Sequence, residues 1–257
     1  MFRFRTAVYF QIFLNAAMQE QEKQPKEIRF IQPDQNSWNL EKGVHVWKFL
    51  VIPTDLSLLT GPEKAMANKF RFDKDKCRFA AGRQALRHLL SKYLNTKPLD
   101  IGIDHKDLKK PVISYPLTDI HFNISHSGEW VLIGISRKEL GIDIEKIDPE
   151  FQYGDLLQEH FSEAEKSFIS RASNPLLAFL FLWTRKEALT KAWGTGLQEN
   201  LKTVSVLSDY SSVDLQQKSW KLESFHFSDF YQSALAHLCD TENIIYFDGN
   251  VNQVRIH

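Results

Sequence analysis

Gly141-Ile142-Asp143-Ile144-Glu145 is the stretch that decides the reading of this chain. Side chains alternate between the two faces of a strand, so Ile142 and Ile144 point one way and Asp143 and Glu145 the other. Two carboxylates on one face repel each other unless a cation or a basic partner stands beside them. Hard oxygen ligands at this spacing suit Mg²⁺, an ion commonly shared with substrate phosphates. The same five residues also read as a half-exposed strand with solvated acids, and the motif alone leaves both readings open.

Working outward, His121 to Ser125, Trp130 to Ser136 and Gly141 to Ile147 form a run of three strand candidates. Before them, Val44 to Val51 reads as a strand. Thr60-Gly61-Pro62-Glu63 reads as a capped helix start, and Asp75 to Tyr93 as a longer helix with apolar residues at helical spacing. After them, Ser162-Glu163-Ala164-Glu165 is a second capping box. Leu176 to Trp193 is a long helix rich in Leu, Phe and Trp. Strands are expected near Thr203 to Leu207, Trp220 to Phe227, Ser233 to Leu238 and Asn243 to Phe247. The order of capped short helix, long helix and strands occurs twice, which predicts two α+β lobes with a cleft between them. The boundaries expected are a lead-in over residues 1–43, a first half over 44–139 and a second over 140–257.

The 257 residues carry 32 basic and 32 acidic side chains, and the balance argues against a nucleic-acid binder. No apolar run is long enough to span a bilayer. Arg3 and Arg5 followed by Val8 to Leu14 have the outline of a signal peptide, but Gln11 interrupts the run, and the segment reads as an extension to the folded body. Two cysteines, Cys77 and Cys239, build no disulfide framework, which favours a reducing, cytoplasmic setting.

Two further blocks bear on chemistry. Trp183, Glu187 and Lys191 follow at i, i+4 and i+8 on the long helix, where Glu187 can add a third carboxylate and Lys191 a phosphate contact. Taken alone, the two residues read as a Glu-to-Lys i,i+4 surface ion pair rather than as a site. Phe122-Asn123-Ile124-Ser125-His126-Ser127-Gly128 ends a strand in hydroxyls and an imidazole, a plausible phosphate cradle that lacks the glycine spacing of a P-loop. Lys109-Lys110-Pro111 precedes it.

In this order and spacing the blocks resemble the 4′-phosphopantetheinyl transferases of the surfactin-synthetase-activating (Sfp-like) type. They are Lys110-Pro111, Phe122 to Ser127, Gly141 to Glu145, and Trp183…Lys186-Glu187-Ala188…Lys191 with Gly194-Thr195-Gly196-Leu197. The Trp with Lys-Glu-Ala resembles one of the two subgroups of that type. The resemblance implies an α+β fold of two pseudo-symmetric halves with the active site between them. It also implies a Mg²⁺-dependent transfer of 4′-phosphopantetheine from coenzyme A to a serine of an acyl or peptidyl carrier protein, leaving 3′,5′-ADP. By the same resemblance Asp143, Glu145 and Glu187 hold the metal, and Asp143 also faces the coenzyme. Ser125 and His126 meet the 3′-phosphate, Lys110 and Pro111 line the coenzyme site, and Lys186 and Lys191 stand near the phosphates. Arg78 and, less directly, Lys64 are coenzyme contacts of the first half. Glu165, in a Phe-Ser-x-x-Glu segment, is the candidate general base. One chain is expected to complete the site as a monomer, without nucleic acid or membrane. Two rival readings remain at this point: a coenzyme A or carrier-protein binder without turnover, and another Mg²⁺-dependent enzyme cleaving a phosphoanhydride.

Overall fold

The computed structural model describes residues 25–41, 43–52, 56–104, 110–194, 201–211 and 218–250. The apolar run 8–14, Lys109 and Thr195-Gly196-Leu197 lie outside them. In chain order the elements are β1 (Lys26–Glu27), β2 (Gly43–Leu50), α1 (Gly61–Ala67), α2 (Asp73–Leu94), β3 (Gly102–Asp104), β4 (Val112–Tyr115), β5 (His121–Ser127), β6 (Trp130–Ser136), β7 (Leu140–Lys146), α3 (Gly154–His160), α4 (Glu163–Arg171), α5 (Pro175–Trp193), β8 (Tyr210–Ser211), β9 (Trp220–His226), β10 (Tyr231–Leu238) and β11 (Asn243–Asp248).

Two sheets carry the fold. One runs β11-β2-β6-β5 and the other β1-β9-β10-β7, with β8 on the outer side of β9; β3 and β4 form a separate hairpin. Each sheet has a long helix on one face. Leu86, Leu89 and Leu90 of α2 pack on Trp47, Phe122, Val131 and Ile133, while Phe179, Leu182 and Trp183 of α5 pack on Trp220, Leu222, Ala234 and Ala236. The opposite faces meet in a third cluster made of Val44, Val46 and Leu132 from one sheet and Ile142, Ile144, Phe225 and Leu235 from the other. The result is helix, sheet, sheet, helix, an α+β fold, with Ile142 and Ile144 turned inward as their alternation requires.

Both expected capping boxes are formed, by Thr60 with Glu63 and by Ser162 with Glu165. The β5–β6 hairpin closes through Gly128 at φ +55°, the conformation a two-residue turn demands at its first position.

The chain ends cross the boundaries expected at 43/44 and 139/140. β1, from the lead-in, pairs parallel with β9, and Ile28 and Phe30 pack on the third cluster. β11 returns to the first half and pairs parallel with β2. β2 already has β6 on its other side, so β11 covers what would otherwise be an open edge. The expected strand at Thr203 to Leu207 is not formed; a 3-10 turn at Leu201–Thr203 leads into irregular chain. Its buried backbone groups are met by side chains instead, because Lys186 Nζ donates to the carbonyls of Leu201 (2.9 Å) and Val204 (2.7 Å) and Glu165 accepts from Val206 N (3.1 Å).

Candidate active site

β5 and β7 lie side by side where the two sheets converge, yet each pairs through its backbone only with strands of its own sheet among the described residues. Side chains join them. Asn123 Oδ1 accepts from Ile142 N (2.8 Å), Ser125 Oγ donates to Asp143 Oδ1 (2.8 Å), and Ser127 Oγ donates to Glu145 Oε2 (3.0 Å) while accepting from Lys146 N (3.0 Å). Residues 123, 125 and 127 thus use the period of a strand to reach across the seam. Asn123 and Ser127 carried no assigned role in the sequence, although their alternation with Ser125 was the available signal.

α5 crosses the face of β7 that carries Asp143 and Glu145. Lys191 Nζ donates to Asp143 Oδ1 (2.6 Å) and to Ser125 Oγ (2.9 Å). Asp143 is 2% exposed, and its second oxygen, Oδ2, is buried without a hydrogen-bond partner among the described residues. Burial, and then the charge of Asp143, pushes Glu145 up to about 7, and the same two causes push Glu187 up to about 7. Burial alone would lower the Lys191 ammonium, but the charge and hydrogen bond of Asp143, with Glu187 and Glu145, outweigh it and raise its pKa. Asp143, Glu145, Glu187 and Lys191 therefore form one electrostatic unit, three acids against one cation.

The cradle extends from there. His126 stands at the surface beside the cluster, and partial enclosure, followed by the positive charges of Lys191 and Arg78, lowers its pKa. Arg78 Nε donates to the carbonyl of Gly128 (2.9 Å), and its Nη1 pairs with Asp75 (2.9 Å), which fixes the guanidinium against the Ser125–Gly128 end of β5. Lys110 and Pro111 are half-buried at the other end of β7, where Lys110 Nζ donates to Leu140 O (2.6 Å) and burial pulls its pKa down to about 8. Lys64 is exposed on α1, and among the described residues no hydrogen bond or ion pair ties it to the cluster.

Glu165 and Lys186 stand apart from the acids. Glu165 is 0% exposed; its Oε2 accepts from Ser162 N (2.9 Å), and its Oε1 lies 3.0 Å from Lys186 Nζ. Among the described residues this carboxylate is held by Ser162, Lys186 and Val206. Among the described residues no hydrogen bond or ion pair ties it to the carboxylate cluster.

Among the described residues, no three acidic, His or Cys side chains already stand in metal-ligand geometry. The donor set nonetheless fits a hard divalent cation. Among the described residues Asp143 Oδ2 has no hydrogen-bond partner, two further carboxylates are pushed up to about 7 by burial and then by the charge of Asp143, and all donors are oxygen. This electrostatic frustration has a measurable consequence. A carboxyl raised from about 4.5 to about 7 costs the folded state nothing well below the lower value; the penalty builds as pH rises between the two values and is complete above the upper one. Glu187→Gln is therefore expected to melt only slightly above the wild type at pH 5 and clearly above it at pH 8. Discounted for partial exposure, the gain is about 1–2 kcal/mol, or about 3–6 °C. Thermal unfolding of both proteins without added metal checks it, and equal differences at the two pH values would place Glu187 outside the cluster.

Comparison with known proteins bears on this geometry. The profile of the 4′-phosphopantetheinyl transferase superfamily matches residues 139–244, and that of the 4′-phosphopantetheinyl transferase N-terminal region matches residues 49–138. The chain is similar to 4′-phosphopantetheinyl transferase HetI of Nostoc sp., with 29% identity over 198 residues covering 71% of this chain and 82% of that protein. A 4′-phosphopantetheinyl transferase of Bacillus subtilis is 32% identical over 165 residues, covering 63% and 72% of the two chains. The transferase Sfp of Bacillus subtilis is 30% identical over 153 residues, covering 59% and 67%. The profile for the superfamily takes in β7 and α5, which carry the three acids and Lys191, and the N-terminal profile takes in β5 with Ser125 and His126. The chain belongs to the 4′-phosphopantetheinyl transferase superfamily and is an enzyme of that kind.

Proposed function

We propose that this enzyme transfers 4′-phosphopantetheine from coenzyme A to a serine hydroxyl of an acyl or peptidyl carrier protein, with Mg²⁺ held by Asp143, Glu145 and Glu187 and 3′,5′-ADP as the second product. The observation that carries the reading is the buried Asp143 with one unpartnered oxygen, flanked by two acids pushed toward neutrality and by Lys191. Such a site carries an excess of negative charge that a divalent cation would offset, and the cation would in turn attract phosphate oxygens. The metal, when bound, neutralises charge on the pyrophosphate and supplies several kcal/mol of transition-state stabilisation. This chain's own residues do the rest. Lys191 offers a second cation beside the metal acids, Ser125 holds Asp143 in place, and at the mouth Arg78 offers positive charge and His126 an imidazole N–H. β5, β7 and α5 come from one chain, which supports a monomer as the working unit. No described helix is long and apolar enough to cross a membrane. The free thiols Cys77 and Cys239 accord with a cytoplasmic setting.

Incubating the enzyme with coenzyme A, Mg²⁺ and an apo carrier protein tests the reading by intact mass. Addition of one phosphopantetheine to the carrier supports it; binding of coenzyme A without a mass change supports a binder, and hydrolysis without the carrier supports a phosphoanhydride hydrolase. His126 gives a finer test. His126→Ala is expected to weaken coenzyme A more than dephospho-coenzyme A, by about 10-fold or more, since a charge-assisted contact contributes about 1.5–3 kcal/mol and only the former carries the 3′-phosphate. Equal losses for both ligands, measured by calorimetry, would place His126 away from that phosphate.

A further inference from the structure

The buried Glu165–Lys186 pair has a twin in the other half of the molecule. In the first half, Glu63 caps α1 by accepting from Thr60 N (2.9 Å). It also binds Arg87 of the following long helix (2.8 and 3.0 Å), and Arg87 donates to the carbonyls of Pro98 (2.7 Å) and Ile101 (2.9 Å) beyond that helix. In the second half, Glu165 caps α4 through Ser162 N and binds Lys186 of α5, and Lys186 donates to the carbonyls of Leu201 and Val204 beyond that helix. Each half therefore contains a capping glutamate, a cation on the next long helix and two carbonyls of the segment that follows, joined in the same order. Among the described residues no cluster of acids is bonded to the first-half version, so the constellation is a feature of the half-fold and does not depend on the chemistry.

We infer that Glu165 is a positioning residue and not the proton acceptor: with Lys186 it buckles α4, α5 and the 201–206 segment together and so sets the rotation of α5 that presents Glu187 to Asp143. Lys186 directly precedes Glu187, so a slip of the buckle turns the metal acid itself. Glu165 is fully enclosed, and both oxygens are occupied by Ser162, Lys186 and Val206. A general base needs a path to the substrate proton within hydrogen-bond reach, and none of these partners provides one. The inference rests on the reading of Glu187 as a metal ligand.

A double-variant cycle tests it. Glu165→Gln and Lys186→Gln each leave the other's charge buried without its partner, whereas the combined variant is a neutral amide pair that still offers donors to the carbonyls. Each single variant is expected to melt lower and to raise the Mg²⁺ half-saturation of coenzyme A binding about 10-fold, with the KM for coenzyme A little changed, and the double variant is expected to recover most of the lost rate and metal affinity. Glu63→Gln should lower the melting temperature while leaving Mg²⁺ half-saturation at the wild-type value. A double variant that transfers no faster than Glu165→Gln overturns the inference, because a missing proton acceptor is not restored by neutralising Lys186. A double variant that melts below both single ones overturns it as well. Failure of the underlying site reading has a separate signature: Glu187→Gln would then keep wild-type Mg²⁺ half-saturation whatever the cycle shows.

Discussion

Asp143→Asn is expected to lower phosphopantetheine transfer by about 10³-fold or more while leaving the protein folded, an effect equivalent to the several kcal/mol that a correctly held metal contributes. Asparagine keeps the shape of the side chain and an oxygen able to accept from Ser125 and Lys191, so the hydrogen bonds of 2.8 and 2.6 Å have a replacement. What it removes is the charge. Asp143 is the acid that raises both Glu145 and Glu187, so its neutralisation relaxes those two toward ordinary carboxylate values and lessens the pull for a divalent cation. The rate loss should therefore come with a rise in Mg²⁺ half-saturation, measured by the metal dependence of coenzyme A binding, and with little change in melting temperature. Transfer within about 10-fold of wild type at limiting Mg²⁺ would remove Asp143 from the metal site.

The parts of this site that local pattern encodes were legible. Alternation fixed which face of 141–145 carries the acids. The two S/T-x-x-E patterns marked helix starts that the structure contains. Helical spacing located α5 to within a residue of its observed ends. Partnership across distance was not legible. Nothing in residues 243–248 specifies β2, some 200 positions earlier, as the strand they pair with; that follows from covering an edge. The irregular course of 203–207 was hidden for a similar reason, since Val204 and Val206 read as a strand and their backbone partners, Lys186 and Glu165, lie on distant helices. Glu165 shows the limit most sharply. Its role as a cap is written in four consecutive residues, whereas the use of its other oxygen by Lys186 depends on how two helices meet. An acid assigned to proton transfer by its motif proves to be enclosed.

Gly141→Ala is expected to be the most disruptive single methyl in the molecule. A Cβ at Gly141 would fall inside the contact distance of the Ala188 carbonyl oxygen and the Ala192 amide nitrogen, and 3.0 Å from the Ala188 carbonyl carbon. All three are backbone atoms of α5, so no rotamer change relieves the overlap, and the helix must move away from β7. Overpacking against movable side chains typically costs about 1–3 kcal/mol; against a helix backbone the cost should reach about 3 kcal/mol or more, a fall in melting temperature of about 10 °C. The consequence reaches function because Gly141, Asp143 and Glu145 share a strand face. The bare glycine lets α5 approach closely enough for Lys191 to reach Asp143 at 2.6 Å, with Glu187 one turn away on the same helix. Lifting the helix opens that contact, so Mg²⁺ half-saturation should rise alongside the loss of stability. Gly154→Ala is the matched control, for a Cβ there meets nothing within 4 Å and lies at the start of a helix. It should be neutral or stabilising by about 0.5–1 kcal/mol. Thermal unfolding of the two variants side by side decides the matter: equal melting temperatures would mean that α5 does not rest on β7 at Gly141, and the approach that assembles the acids with Lys191 would need another cause.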